Sequence, residues 1–464
     1  MGGFFGVVSK SDCVMDLFFG TDYHSHMGTM RGGMAVLNKE GFERHIHDIS
    51  NSQFRSKFDE DIKKMKGNKG IGIISDFESQ PLLMGSHLGN YAISTVGVIK
   101  NTEELAKKVM KKKAHFSEMS GNMINPTELV GMLVNEGATI EKGIVNAQNK
   151  IEGSCSILIL TDKGLYAARD RFGRTPVIIG KKKGAYAVTM ETTAFHNLDY
   201  EIVKELGPGE VVLITEKGIQ VKVKPFKKMQ ICSFLYVYYG YPSSNYEGIN
   251  TEVVRYKCGS MLAKRDNVKI DLVAGIPDSG TGHAIGYANE KNIPFTRPFV
   301  KYTPTWPRSF MPQDQKVRNL VARMKLIPIK ELMKDKSLLF CEDSIVRGTQ
   351  LRDIISRVYK LGAKEIHMRP ACPPLVYGCK YLNFSRSKSV MDLAARRAIK
   401  ELKGKEKDFK EYSNPDSVKY KAMVEVIRKE LKLTTLRYQR LDDLVLAIGL
   451  PKEKLCTYCW DGAE

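Results

Sequence analysis

Leu338-Leu339-Phe340-Cys341-Glu342-Asp343-Ser344-Ile345-Val346-Arg347-Gly348-Thr349 is the stretch on which the reading of this 464-residue chain turns. An apolar run, two acids and a turn of Ser, Arg, Gly and Thr lead into a helical pattern at about 349–361. A buried strand of this kind delivers two carboxylates to its carboxyl end, where open α/β sheets bind ligands. The acids can face sugar hydroxyls or a magnesium ion. The turn offers backbone N–H groups and hydroxyls to a phosphate at a helix N-terminus. The alternative is an ordinary strand-to-helix turn with acids placed for solubility.

Outward from this loop the same grammar repeats. Ile270–Ile276 reads as an apolar strand ending in Pro277-Asp278-Ser279-Gly280 before a helix at about 281–291, and Glu365–Met368 reads as a further strand. Strand–helix alternation from about residue 230 predicts a parallel sheet, with ligands at residues 277–281 and 342–349. Residues 400–433 are charged and helix-prone and read as a surface excursion. Upstream, residues 1 to about 225 read as many short strands, among them Tyr91–Val96, Ser156–Leu160 and Glu210–Ile214. At least two helices interrupt them, near Glu103–Lys112 and Thr127–Glu136, which predicts sheet layers covered by helices. A basic linker, Lys222 to Lys228, places the expected boundary between residues 1–228 and 229–464.

Composition narrows the classes. The net charge is +20, but the lysines lie in scattered runs such as Lys111–Lys113 and Lys181–Lys183, with no basic stripe interleaved with aromatics. Solvated surface accounts for them, and no nucleic-acid partner is expected. No apolar run reaches the roughly 18 residues of a membrane helix. The start, Met1-Gly2-Gly3-Phe4-Phe5, lacks the basic front of a signal peptide, so a cytoplasmic location is expected. The nine cysteines therefore do not predict disulfides. Packing is the expected role of Cys13, Cys155, Cys258, Cys341 and Cys372.

The Leu338–Thr349 run is similar to the signature of type I phosphoribosyltransferases. With both halves in view, the chain resembles glutamine phosphoribosylpyrophosphate amidotransferase from end to end. The shared stretches include Ile231-Cys232-Ser233, Ser244–Asn250, Ile276–Ser279, Arg323–Leu326, Gln80–Leu83, Gly173–Pro176 and Pro208–Glu210. The resemblance implies an N-terminal-nucleophile glutaminase-like domain of αββα layers, followed by a type I phosphoribosyltransferase domain with a parallel sheet. The implied activity is the first committed step of purine synthesis. The implied partners are phosphoribosyl diphosphate, ammonia and purine nucleotide effectors, in a homo-oligomer.

One branch of that family carries a [4Fe–4S] cluster. By resemblance its four thiolates fall on Cys232, Cys379, Cys456 and Cys459. A C-x-x-C pair alone is also compatible with a four-cysteine zinc site or with cysteines that hold no metal.

The resemblance breaks in the glutaminase half. The family's nucleophile is an N-terminal cysteine whose own α-amine is the base, and Gly2 stands in its place. Ser75 replaces the arginine for the glutamine carboxylate, Val96 the oxyanion Asn beside a retained Gly97, Pro126 the acid for the glutamine amine, and Met27 the arginine after His26. Loss of glutaminase activity is the expectation.

The transferase half is better kept. By resemblance, Glu342, Asp343, Ser344, Ile345, Val346, Arg347, Gly348 and Thr349 hold the ribose and 5′-phosphate, with Glu342 and Asp343 also on magnesium. Asp278 and Ser279 join them as substrate-binding residues, with Arg323 and Lys325 to screen the diphosphate. Gly280 replaces a hydroxyl residue that helps hold magnesium, and the closing loop at about Tyr302–Lys325 has lost its usual pattern, though Arg308, Arg318, Arg323 and Lys325 remain. Three functions stay open: a transferase fed by external ammonia, a regulatory paralogue that binds without catalysis, and a transferase with another acceptor.

Overall fold

The structure is a computed structural model and describes residues 2–120, 123–301, 326–382 and 389–464. Its N-terminal half stacks two antiparallel sheets. The first orders seven strands as Glu201–Glu205, Ile178–Lys182, Ala185–Thr189, Gly3–Ser9, Lys69–Ser75, Arg31–Asn38 and Gly41–Asp48. The second orders six as Gly218–Val223, Val211–Thr215, Gly164–Ala168, Gly153–Thr161, Gly89–Ile99 and Leu82–Ser86.

Period-two alternation decides which way each strand faces. In Gly3–Ser9, Phe4 and Val8 point between the sheets and meet Ile71, Leu158 and Leu165, whereas Phe5 and Val7 share a core with Leu17 and Phe18 of the helix Val14–Asp22. In Gly153–Thr161, Leu158 and Leu160 point inward. Ile157 and Ile159 point out, toward Leu129 and Ile144 of the helices Pro126–Val134 and Ile140–Lys150. The central strands of both sheets are buried on both faces, giving the helix–sheet–sheet–helix layering.

The C-terminal half is built on a parallel sheet in the order Leu272–Gly275, Ser337–Glu342, Glu365–Pro370, Thr435–Leu436. Leu272 lies opposite Leu338, and Gly275 opposite Cys341. Leu339 and Cys341 pack toward the helices Thr251–Lys264 and Thr281–Lys291. Leu338 and Phe340 pack toward Thr349–Lys360 and the C-terminal helices.

Residues 400–433 are not a surface excursion. Phe409, Tyr412, Tyr420, Met423 and Ile427 are buried against Ile355 and Ile366. Tyr420, Met423 and Ile427 recur at helical spacing along Val418–Glu430, so a charged composition hid one apolar face. The last strand of the parallel sheet, the two-residue Thr435–Leu436, is added by this packing and has no signal of its own. The chain then returns to the junction between the halves, where Leu455–Cys456 pairs in parallel with Ile231–Cys232 and Trp460 stacks on Phe234. Among the described residues no helix is long and apolar enough to cross a membrane.

Candidate functional site

The carboxyl ends of two adjacent parallel strands bring the two predicted loops together. Ser279, in the turn after Leu272–Gly275, donates from Oγ to Glu342 Oε1 at 3.3 Å. Ser344 Oγ donates to Asp343 Oδ2 at 2.5 Å. Asp278 is exposed and pairs with Lys301 Nζ at 2.6 Å. The Ile345–Gly348 turn is tied down from outside: Ala394 N donates to the Val346 carbonyl at 2.8 Å, and Arg397 donates to the Arg347 carbonyl at 2.7 Å. Arg347 also faces Asp392 at 3.6 Å. Gly348 sits at φ 76°, a left-handed conformation that glycine adopts without strain, and starts the helix Thr349–Lys360. The loop thus ends on the amino terminus of a twelve-residue helix, a site suited to an anion.

The acids are crowded. Burial pushes the Glu342 carboxyl well above its ordinary range, and the adjoining Asp343 charge pushes it further. Arg255, buried in Thr251–Lys264, lies within electrostatic reach of Asp343 and donates to the carbonyls of Tyr236, Tyr238 and Gly240. Nothing in the sequence singled out Arg255, because its partners converge only through tertiary packing. Gly280 is enclosed: a Cβ there would lie 2.3 Å from the Cys341 carbonyl oxygen and 2.8 Å from Ile276 N. Arg323 and Lys325, with Arg308 and Arg318, lie outside the described residues.

Behind this site a buried acid joins the two halves. Glu191 receives Tyr246 Oη at 2.8 Å, His26 Nε2 at 3.3 Å and the Ser244 hydroxyl. Burial alone would raise its carboxyl, but these partners hold it below the ordinary range. The nearby His24 imidazole is buried between the Gly20 carbonyl and Thr189 Oγ1, and burial pushes it down to about 4.

The four C-terminal-half cysteines named from sequence share one small cavity of about 10 Å³ with Arg174, Phe234, Tyr381 and Trp460. Register brings Cys232 opposite Cys456 in the paired two-residue strands. Tyr381 N and Leu382 N donate to Cys379 Sγ at 3.4 and 3.3 Å. Burial, with the neighbouring Cys456 and Cys379, pushes the Cys232 thiol up. The Cys459 thiol is raised first by its contact with Cys379. Yet no three of these sulfurs lie within 4.8 Å of one another. The remaining five cysteines are buried in the cores.

In the N-terminal half, Gly2, Ser75, Val96 and Pro126 line a single cavity of about 900 Å³. Ser75 Oγ is turned to the Glu78 carbonyl at 2.6 Å. Pro126 opens a helix capped by Asn125, whose Oδ1 receives Thr127 N at 2.9 Å. The next acid, Glu128, is occupied by Ser117 N and Glu118 N at 2.8 and 2.9 Å. Cys155 is the thiol lining this cavity among the described residues, and burial pushes it up, away from the thiolate. Met27 is buried in the core close to Gly3.

Two sheet layers beneath helices, joined to a parallel sheet with an acidic strand end and a turn at a helix N-terminus, define an amidotransferase-like half fused to a transferase-like half. A model of the glutamine amidotransferase domain matches residues 70–197. The amidophosphoribosyltransferase of Methanocaldococcus jannaschii is 30% identical over 490 aligned positions, covering 100% of this chain and 97% of that protein. The Bacillus subtilis amidophosphoribosyltransferase is 29% identical, covering 82% and 80%. The solved structure of the B. subtilis glutamine phosphoribosylpyrophosphate amidotransferase with ADP and GMP superposes with a TM-score of 0.86 at 27% identity, covering 99% of this chain and 96% of that one. The chain belongs to the amidophosphoribosyltransferase family.

Proposed function

We propose that this chain is a phosphoribosyltransferase that forms phosphoribosylamine, in purine biosynthesis, from phosphoribosyl diphosphate and ammonia it does not itself generate. The observation that carries the reading is the contrast between the strand-end site and the N-terminal cavity. The acidic strand end and its anion-binding turn keep their carboxylates, hydroxyls and helix terminus. The N-terminal cavity collects four positions that offer neither nucleophile nor glutamine clamps. On this reading residues 1–228 form a degenerate glutaminase-like domain, and 229–464 form the transferase domain with its C-terminal tail.

Within the transferase site, Glu342 and Asp343 hold the ribose hydroxyls while positive charge develops at C1. Val346–Thr349 cradle the 5′-phosphate, and Ser344, Ile345, Asp278 and Ser279 complete the substrate site. Arg323 and Lys325 are assigned to the diphosphate by the family resemblance alone. Ammonia attacks C1 as diphosphate leaves. The protein's help is positional and electrostatic. Hard carboxylate oxygens suit magnesium, which when held by Glu342 and Asp343 would neutralise charge on the departing diphosphate.

The four cysteines fit a [4Fe–4S] cluster better than zinc. A tetrahedral zinc with bonds of about 2.3 Å needs its sulfurs about 3.8 Å apart, closer than any three of them come. Each thiolate of a four-iron cluster holds a different iron, so wider spacing suits it. Such a cluster would tie the chain's last residues to the junction. Its chemistry there is structural.

The B. subtilis relative was solved with ADP and GMP, which supports purine nucleotides as effectors here, in a cytoplasmic homo-oligomer. A second reading, a regulatory paralogue that binds phosphoribosyl diphosphate without turnover, is favoured by the enclosed Gly280. The deciding experiment measures diphosphate release from phosphoribosyl diphosphate with ammonia and with glutamine in parallel. Release with ammonia alone supports the first reading. Binding without release supports the second, and release only with another amine or base supports a different acceptor.

A further inference from the structure

The edge strand Gly41–Asp48 carries Glu43, His45 and His47 at alternate positions, so all three face the same side of the sheet. That side is covered by the helix Phe54–Lys64, held down by the buried rings of Phe54 and Phe58. Phe58 meets the His47 ring edge-on at 4.7 Å between centroids and so fixes its orientation. One turn further along, Asp61 reaches between the two imidazoles. His45 Nδ1 lies 3.0 Å from Asp61 Oδ1, and His47 Nε2 lies 2.5 Å from Asp61 Oδ2. The three ligand atoms sit within 4.8 Å of one another.

The other nitrogen of His45 decides the chemistry. His45 Nε2 lies 3.1 Å from Glu43 Oε1, and an ionised carboxylate can only accept, so Nε2 carries a proton and donates it. Nδ1 then faces a second carboxylate. An imidazole set between two acceptors must either carry a second proton or turn a lone pair to a cation shared with Asp61. The arrangement of a carboxylate behind a histidine whose opposite nitrogen faces an acidic ligand is that of a metal centre with its outer partner in place. Two imidazoles and one carboxylate suit a zinc-class ion rather than magnesium or calcium. The residues are only partly buried, with His45, His47 and Asp61 side chains 32%, 34% and 17% exposed, which leaves room for water to complete a tetrahedron.

We propose that His45 Nδ1, His47 Nε2 and Asp61 form a binding site for one divalent transition-metal ion of the zinc class, with Glu43 orienting His45. The ion pins the free edge of the seven-stranded sheet to the helix that covers it. The site shares no residue with the cysteine cavity, the strand-end site or the N-terminal cavity, and does not depend on the proposed function.

Cobalt(II) alone is the probe, titrated into the full-length chain and followed by visible absorption, because ligation by nitrogen and oxygen lacks the thiolate charge-transfer band that cysteine ligation gives. One equivalent without that band should bind, whether or not the cysteines take cobalt as well, and zinc should displace it. His47→Ala and, independently, Asp61→Asn should each weaken this equivalent at least about tenfold, and Glu43→Gln should weaken it about 10- to 100-fold while keeping the stoichiometry. Both replaced side chains are partly exposed, and equal thermal unfolding of variants and parent in chelator checks that the fold is intact. Cobalt that binds only with the thiolate band, or binding unchanged in His47→Ala and Asp61→Asn, overturns the site and leaves the cluster as a set of ion pairs.

Discussion

Replacing Gly2 by Cys returns the missing thiol and should return no glutaminase. The position has closed. A Cβ on residue 2 would lie 2.3 Å from the Ile74 carbonyl oxygen and 3.3 Å from Ser75 Cα, where ordinary contact begins at 3.4 Å. Two backbone segments must therefore separate by about 1 Å to admit it, an overpacking that costs about 1–3 kcal/mol. Even a thiol accommodated in this way finds Val96 where the tetrahedral intermediate needs a donor. Loss of one such donor costs about 10²–10³ in rate. Ser75 and Pro126 leave the glutamine carboxylate and amine without counter-charges, and Glu128, the acid beside Pro126, is already held by two backbone amides. The assay compares ammonia release from glutamine by the parent chain and Gly2→Cys, with covalent labelling by a glutamine-mimicking affinity reagent as a second readout. Both proteins should stay at background in both readouts, and the variant should unfold at lower denaturant. Glutamine hydrolysis by either protein would refute the reasoning, because it would mean that the pocket still binds and turns over the amide.

Asp343→Ala should weaken magnesium-dependent binding of phosphoribosyl diphosphate and slow any turnover by about 10²-fold or more; unchanged calorimetric affinity and unchanged rate would remove Asp343 from the site. Cys459→Ser should lower the iron and sulfide of an anaerobic preparation and loosen the C-terminal tail, measured by metal analysis and hydrogen exchange at residues 455–461; a colourless parent protein with one zinc per chain would instead favour the tetrathiolate ion. His24 supplies a pH test. Burial depresses its folded value to about 4 from an ordinary 6.5, so protons bind the unfolded chain more readily. Its contribution is present above about pH 6.5 and is lost as pH falls toward 4. Between pH 7 and pH 5 the parent chain should lose about 2 kcal/mol more stability than a His24→Gln variant, read from denaturant unfolding at both pH values. Parallel pH profiles for the two proteins would contradict it.

What the sequence carries well is what is local. The helix after Pro277–Gly280 spans Thr281–Lys291, and the strand before Asp343 spans Ser337–Glu342, close to where the apolar runs and turn residues place them. An apolar strand followed by Gly, Ser and Asp needs no tertiary partner to be read. The junction is different. Glu191 and Arg255 look like ordinary surface charges in sequence, and only packing brings Glu191 to Tyr246 and His26, or Arg255 to three carbonyls and Asp343. The pairing of Cys232 with Cys456 rests on two-residue strands, too short for any periodicity to register. Residues 400–433 read as helix-prone but as a surface excursion, because charge on one face of Val418–Glu430 outweighs the apolar spacing on the other.

Two glycines make the same physical point in opposite halves of the chain. At Gly2 a side chain would collide with the Ile74 carbonyl, and at Gly280 it would collide with the Cys341 carbonyl, each at 2.3 Å. In both cases the obstacle is backbone, which cannot swing aside as the end of a long side chain can. A missing side chain left as an open notch could be refilled at little cost. These notches are not open: a backbone carbonyl borders each, and dense packing resists opening it. The consequences differ between the halves. On the proposed reading the group absent at Gly2 is the nucleophile itself, and Ser75, Val96 and Pro126 line the same cavity. At Gly280 the lost group is one hydroxyl, and Ser279 next to it still reaches Glu342. On the proposed reading, a site without its nucleophile and its glutamine clamps cannot act, whereas one that lacks a single ligand and keeps its carboxylates can still hold a sugar phosphate. That asymmetry makes the ammonia-dependent transferase the stronger reading than the silent paralogue.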